Sequence, residues 1–163
     1  MKKLILILFL IFISISTFAQ PTKDEITYMQ SLWGMQKRDI VKEHMKITSA
    51  DSSAFWSLYE KYEDSRKELG KERINTIVDY AQNYGSLTDV KADELIMKML
   101  ANNTKFLDLL NNTYNQMKTS VSPLKAAQFV QLESYLDAVL KIAIQDEIPL
   151  IGEVDKQKAP KIK

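Results

Sequence analysis

Four stretches of this chain return an apolar residue every three or four positions, the spacing of a helix with one buried face. From about Asp24 to Lys46 the repeating residues are Ile26, Met29, Trp33, Ile40, Val41 and Met45, with Gly34 in the middle. A second stretch opens at Thr48-Ser49-Ala50-Asp51, a hydroxyl with an acid three positions on, close to a capping box. Its stripe is Phe55, Leu58, Tyr62, Leu69, Arg73, Ile77, Tyr80 and Tyr84, with Trp56 and Tyr59 toward the flank, and Gly85-Ser86 ends it. The third opens at Leu87-Thr88-Asp89 and carries Ala92, Leu95, Ile96, Met99, Phe106, Leu110, Tyr114 and Met117, with Asn103 falling on the stripe. The fourth opens at Ser122-Pro123, a helix cap followed by proline at the first helical position. Its apolar face is Leu124, Ala127, Phe129, Leu132, Leu136, Val139, Leu140 and Ala143. No segment alternates with period two, so the pattern predicts an all-α chain. Short connections favour antiparallel neighbours. The expected architecture is an elongated antiparallel bundle of about four helices, the second and third forming a long central hairpin closed at Gly85.

The first residues follow another pattern. Lys2 and Lys3 precede an unbroken apolar run, Leu4 to Ile13, which turns polar from Ser14 and reaches the small residue Ala19. That is the layout of a secretory signal peptide. The run is shorter than the roughly 20 apolar residues a membrane span needs. A signal peptide over 1–19, a helical domain over 20–151 and a Lys-rich disordered tail over 152–163 are therefore expected, in a protein exported to the periplasm or bacterial envelope without a stable membrane anchor.

Composition narrows the chemistry. The 163 residues have a formal net charge of +1; losing Lys2 and Lys3 with no acid leaves −1. A nearly neutral protein has no net electrostatic pull on nucleic acid. The chain has no cysteine, which removes disulfides, thiol catalysis and thiolate metal sites. Its one histidine, His44, is the only weak metal candidate, with Met45 beside it and Met29 and Met35 earlier; these methionines also suit ordinary helix packing. Glu60, Glu63, Asp64 and Glu68 are interleaved with Lys61, Arg66, Lys67 and Lys71, as on a solvated helix face. No nucleophile elbow, phosphate loop or zinc-protease motif is present. The expectation is a protein that is not an enzyme and needs no cofactor. Aromatic residues remain: Trp33, Phe55, Trp56, Tyr59 and Tyr62 are the candidates for contacting a client or partner, against the alternative that they pack the bundle.

Ile47-Thr48-Ser49-Ala50-Asp51, followed by Phe55-Trp56-Ser57-Leu58-Tyr59-Glu60-Lys61-Tyr62, resembles the helix start of the LTXXQ group, exported helical proteins that include Spy- and CpxP-like chaperones and stress sensors. Leu87-Thr88-Asp89-Val90-Lys91 is similar to a second copy of that start, and Pro123-Leu124-Lys125-Ala126-Ala127-Gln128-Phe129 to the opening of the last helix. Ile47 stands where the group has Leu, and Asp51 and Lys91 where it has Gln. The resemblance implies an envelope protein that shields unfolded proteins or senses envelope stress without ATP, with a possible homodimer. The alternatives are a dedicated adaptor of one envelope signalling protein and a metal-responsive sensor.

Overall fold

The computed structural model describes the backbone of 23–145, 148 and 151, and side chains from 33 onward. The expected signal peptide and tail lie outside these residues. The described residues are all-α and contain no strand. Four helices follow one another: α1 (Lys23–Met45), α2 (Ser52–Asn83), α3 (Asp89–Ser120) and α4 (Pro123–Gln145), with a 3-10 turn at Tyr84–Ser86 between α2 and α3. No described helix is long and apolar enough to cross a membrane.

The chain divides into two units, Met1–Ile47 and Thr48–Lys163. The first contains α1, whose buried residues Lys37, Val41 and Met45 recur every four positions on one face. Lys46 follows it in the left-handed region, at φ 44°, the backbone that commonly closes a helix C-terminus.

The second unit holds α2, α3 and α4. Each helix is entered through a hydroxyl group that accepts a main-chain N–H three residues on. Thr48 Oγ1 accepts from Asp51 at 3.3 Å, Thr88 Oγ1 from Lys91 at 3.2 Å and Ser122 Oγ from Lys125 at 3.2 Å. At the first, Thr48 also donates to Asp51 Oδ2 at 2.8 Å. The bond closes a turn ahead of α2, whose N-cap Asp51 makes no side-chain bond into the helix. The Thr88 and Ser122 caps satisfy amides that a helix start otherwise leaves unpaired.

α2 and α3 each have 32 residues, or about 48 Å of helix. They form the central hairpin, with α4 packed against α3. Cross-links fix the antiparallel register: Asp79 with Lys91, Glu72 with Lys105, and Leu69 with Asn102. α2 continues through Gly70, and the Asn102 amide donates to the Leu69 carbonyl beside it at 3.0 Å.

The core stripes differ from the expected ones in particular places. On α2 they are Phe55, Tyr59, Tyr62, Glu63 and Arg66, so Tyr59 belongs to the core and the Glu63–Arg66 pair is not on a solvated face. On α3, Leu95, Asn102, Thr113 and Met117 are buried, whereas Ile96 and Met99 are exposed. The buried amide is Asn102; Asn103 is half-buried. Both buried polar residues meet main-chain acceptors, Asn102 at Leu69 and Thr113 at Leu109. On α4, Ala126 and Glu133 join Phe129, Leu132 and Leu136 inside, while Leu124 and Ala127 face solvent.

Candidate functional site

Three of the five aromatic candidates are core residues. Phe55, Tyr59 and Tyr62 are 0%, 2% and 5% exposed. Phe129 of α4 sits edge-on to all three, with ring centroids 6.2, 6.4 and 5.2 Å away. Such edge-to-face contacts add to the apolar burial that joins α2 and α4. Phe55, Tyr59 and Tyr62 thus pack the joint between α2 and α4 and present little surface. Trp56 is half-buried and packs edge-on to Phe55 and Tyr59. Trp33 is half-buried on α1.

Below the aromatic cluster lies a buried polar layer. Tyr62 donates its hydroxyl proton to Glu133 Oε2 at 2.9 Å. Arg66 holds Glu63 through two nitrogens, with Nε 3.0 Å from Oε1 and Nη2 3.0 Å from Oε2. Burial, reinforced by the Glu133 carboxylate, pushes the Tyr62 hydroxyl pKa far above the tyrosine range. Burial pulls the Arg66 guanidinium down, but the charge and hydrogen bonds of Glu63, with Glu133, outweigh it and raise the pKa. The layer thus holds a neutral phenol and a fixed cation beside two acidic residues. The Tyr62–Glu133 hydrogen bond ties α2 to α4 inside the core.

Further along, Arg73 ties all three helices together. Its Nη1 donates to Asp137 on α4 at 3.0 Å, and its guanidinium lies 4.3 Å from the centre of the Phe106 ring on α3. Burial pushes the Asp137 pKa up, but hydrogen bonds from Lys141 and Arg73 overcome it and the net shift is downward.

The open groove between α2 and α3 forms a cleft of ≈ 380 Å³, lined by Glu72, Asn75, Thr76, Asp79, Lys98, Ala101, Asn102 and Lys105. Its charges are already matched: Lys105 with Glu72 at 2.8 Å, and Asp79 with Lys91 at 2.8 Å and Lys98 at 3.6 Å. Hydrogen bonds from these lysines lower the pKa of both carboxyl groups. The arrangement cross-braces the two helices.

His44 is exposed in the last turn of α1, while the adjacent Met45 is buried. The two side chains point to different sides of the helix and do not converge on one ion. Among the described residues, no three His, Cys, Asp or Glu side chains come together as a metal site.

The apolar surface that remains exposed lies mainly on α3. Val90 is 81% exposed, Met97 58%, Leu100 50% and Leu107 67%, with Ile96 and Met99 above 40%. The spacing of Ile96, Leu100 and Leu107 is itself helical, so the helix carries a second apolar stripe beside the one that packs. The sequence contains both stripes, and reading them as one assigned Ile96 and Met99 to the core. No family model, curated protein or solved structure matches the chain.

Proposed function

We propose that this chain is an exported, non-enzymatic binding protein that holds apolar segments of unfolded envelope proteins against α3 and releases them without nucleotide. The observation that carries this reading is the exposed run of large apolar side chains between Val90 and Leu107. Large exposed apolar side chains interspersed with charge suit protein contacts. Met97 and Met99 add unbranched, adaptable side chains that accommodate many sequences. Asp93, Glu94, Lys98 and Lys105 lie among them in the sequence and are exposed, so the helix surface offers charges of both signs as well. The export layout of Lys2 to Ala19 supports the compartment. The resemblance of Thr48 and Thr88 to LTXXQ helix starts agrees with the reading: Thr88 caps α3, and Thr48 closes the turn ahead of α2. The already paired carboxylates of the α2–α3 cleft favour binding over catalysis.

The test is suppression of aggregation of a chemically denatured client by the mature chain at near-stoichiometric ratio. The wild type should suppress aggregation. Leu100→Glu with Leu107→Glu should abolish suppression while helix content, measured by circular dichroism, stays unchanged. Trp33→Ala should have little effect if α3 is the contact surface. A folded wild type that protects no client, yet retains one partner from an envelope extract, would replace this reading with a dedicated adaptor.

A further inference from the structure

Oxidisable sulfur is divided between surface and core. Of the methionines whose side chains are described, Met45 on α1 and Met117 on α3 are 0% exposed, whereas Met35 is 63%, Met97 58% and Met99 43% exposed. Met99 and Met117 lie on the same line of α3, about five turns apart. The face of the helix therefore does not set their exposure; what packs against each turn does. The chain has no cysteine, so thioethers are its only sulfur.

The two exposed methionines of α3 flank the apolar stripe of that helix. With about 3.6 residues per turn, Ile96, Leu100 and Leu107 fall within about 40° of one another, Met99 about 60° to one side and Met97 about 60° to the other. Residues three apart on a helix are neighbours, so Met99 lies beside Ile96 and Met97 beside Leu100. We propose that Met97 and Met99 are modification sites: a peroxide converts both to the sulfoxide, and α3 then loses its hold on apolar clients while the fold stays intact. This regulation rests on the client contact proposed for α3.

The step needs only the oxidant. A sulfur lone pair attacks one peroxide oxygen, an S–O bond forms as the O–O bond breaks, and hydroxide leaves. The hydroxide takes the proton from the new S–OH group and becomes water. Sulfur loses two electrons and the peroxide gains them. A flexible apolar thioether becomes a polar, chiral group. On the margins of the stripe that change removes apolar area and adds an acceptor that an apolar client would have to desolvate. Met45 and Met117 have no exposed surface, so the same oxidant spares the core while the chain stays folded. A dithiol-driven sulfoxide reductase restores the thioether, releasing water and leaving the dithiol as a disulfide.

Hydrogen peroxide on the mature chain, followed by peptide mass mapping, should place oxygen on Met35, Met97 and Met99 before Met45 and Met117. Circular dichroism should stay unchanged, and protection of the denatured client should fall several-fold. The epimer-specific sulfoxide reductases with dithiothreitol should restore protection; with no cysteine in the chain, the thiol has no other target. Met35→Leu should respond to peroxide as the wild type does, which separates α3 from the exposed sulfur of α1. Met97→Gln with Met99→Gln, permanently polar, should protect poorly without oxidant. Full protection after both sulfurs are oxidised, full protection by that double variant, or a loss that reduction does not reverse would overturn the proposal. An untreated wild type that protects no client would remove the client contact itself, and the switch with it.

Discussion

The two ends of the α2–α3 hairpin are built on different physics. At the end where α2 begins, Phe55, Tyr59 and Tyr62 close on Phe129, and Met117 and Ala126 are fully buried. Toward the Gly85 turn, α2 has no buried residue beyond Arg66. There the helices are joined by Lys91 and Lys98 on Asp79 and by Lys105 on Glu72. Apolar burial is worth about 25 cal/mol per Å² and is not screened by salt. Exposed ion pairs are each worth little and are screened. One end therefore anchors the fold, and the other holds a register while leaving α3's apolar side chains uncovered. A surface that binds weakly and releases is best placed where local stability is low.

The largest expected effect breaks the aromatic end. Phe129→Ala removes the ring that meets three others and leaves a cavity among them. The cost should be about 3–5 kcal/mol, read as a lower urea midpoint. Leu100→Ala, at a half-exposed position of the other end, should stay within roughly 0.5 kcal/mol. Equal losses would erase the contrast.

The polar layer between the ends should respond next. Tyr62→Phe removes the donor to Glu133 and leaves a buried acceptor short of a bond, at a cost of about 1–3 kcal/mol. It also has a pH signature. The Tyr62 pKa is raised on folding, first by burial and then by Glu133, so its contribution is complete below the ordinary tyrosine value of about 10. That contribution is lost as pH rises above about 10 toward the folded value, with a slope near 1.4 kcal/mol per pH unit. Wild-type stability should fall along that limb, and Tyr62→Phe should flatten it. The same steepness in both proteins would assign alkaline unfolding to other groups.

The hairpin was legible in the chain because its signals are local. Thr88 and Ser122 are strong caps, Gly85-Ser86 is a strong stop, and three- and four-residue spacing marks the helices. The surface was less legible for a physical reason. α3 carries two apolar stripes side by side, and periodicity alone does not say which of them another helix covers. Asn102 and Thr113 were passed over as core because a polar residue is assumed to face water, yet each finds a main-chain carbonyl once folded. Glu63, Arg66 and Glu133 were hidden likewise: charges distant in sequence become neighbours only when α4 folds back alongside α2. The aromatic candidates illustrate the converse. Phe55, Tyr59 and Tyr62 attracted attention as binding residues for the same large apolar area that places them inside.

The smallest expected effect belongs to the ion-paired end, and it separates the two kinds of bonding by their response to solution conditions. Asp79→Asn removes the acceptor shared by Lys91 and Lys98, with an expected loss under about 1 kcal/mol. Hydrogen bonds from Lys91 and Lys105 lower the folded pKa of Asp79 and Glu72. Their contribution is therefore present above the ordinary carboxylate values of about 4 and is lost as pH falls below them. Amide exchange along residues 89–100 should quicken between about pH 5 and about pH 3, relative to the intrinsic rate at each pH, while residues 109–117 stay protected. Salt near 1 M, where the screening length is about 3 Å, should reproduce that difference at neutral pH and bring wild type and Asp79→Asn together. Uniform loosening of both ends in acid or salt would mean that the ion pairs hold the whole unit and not only its open end.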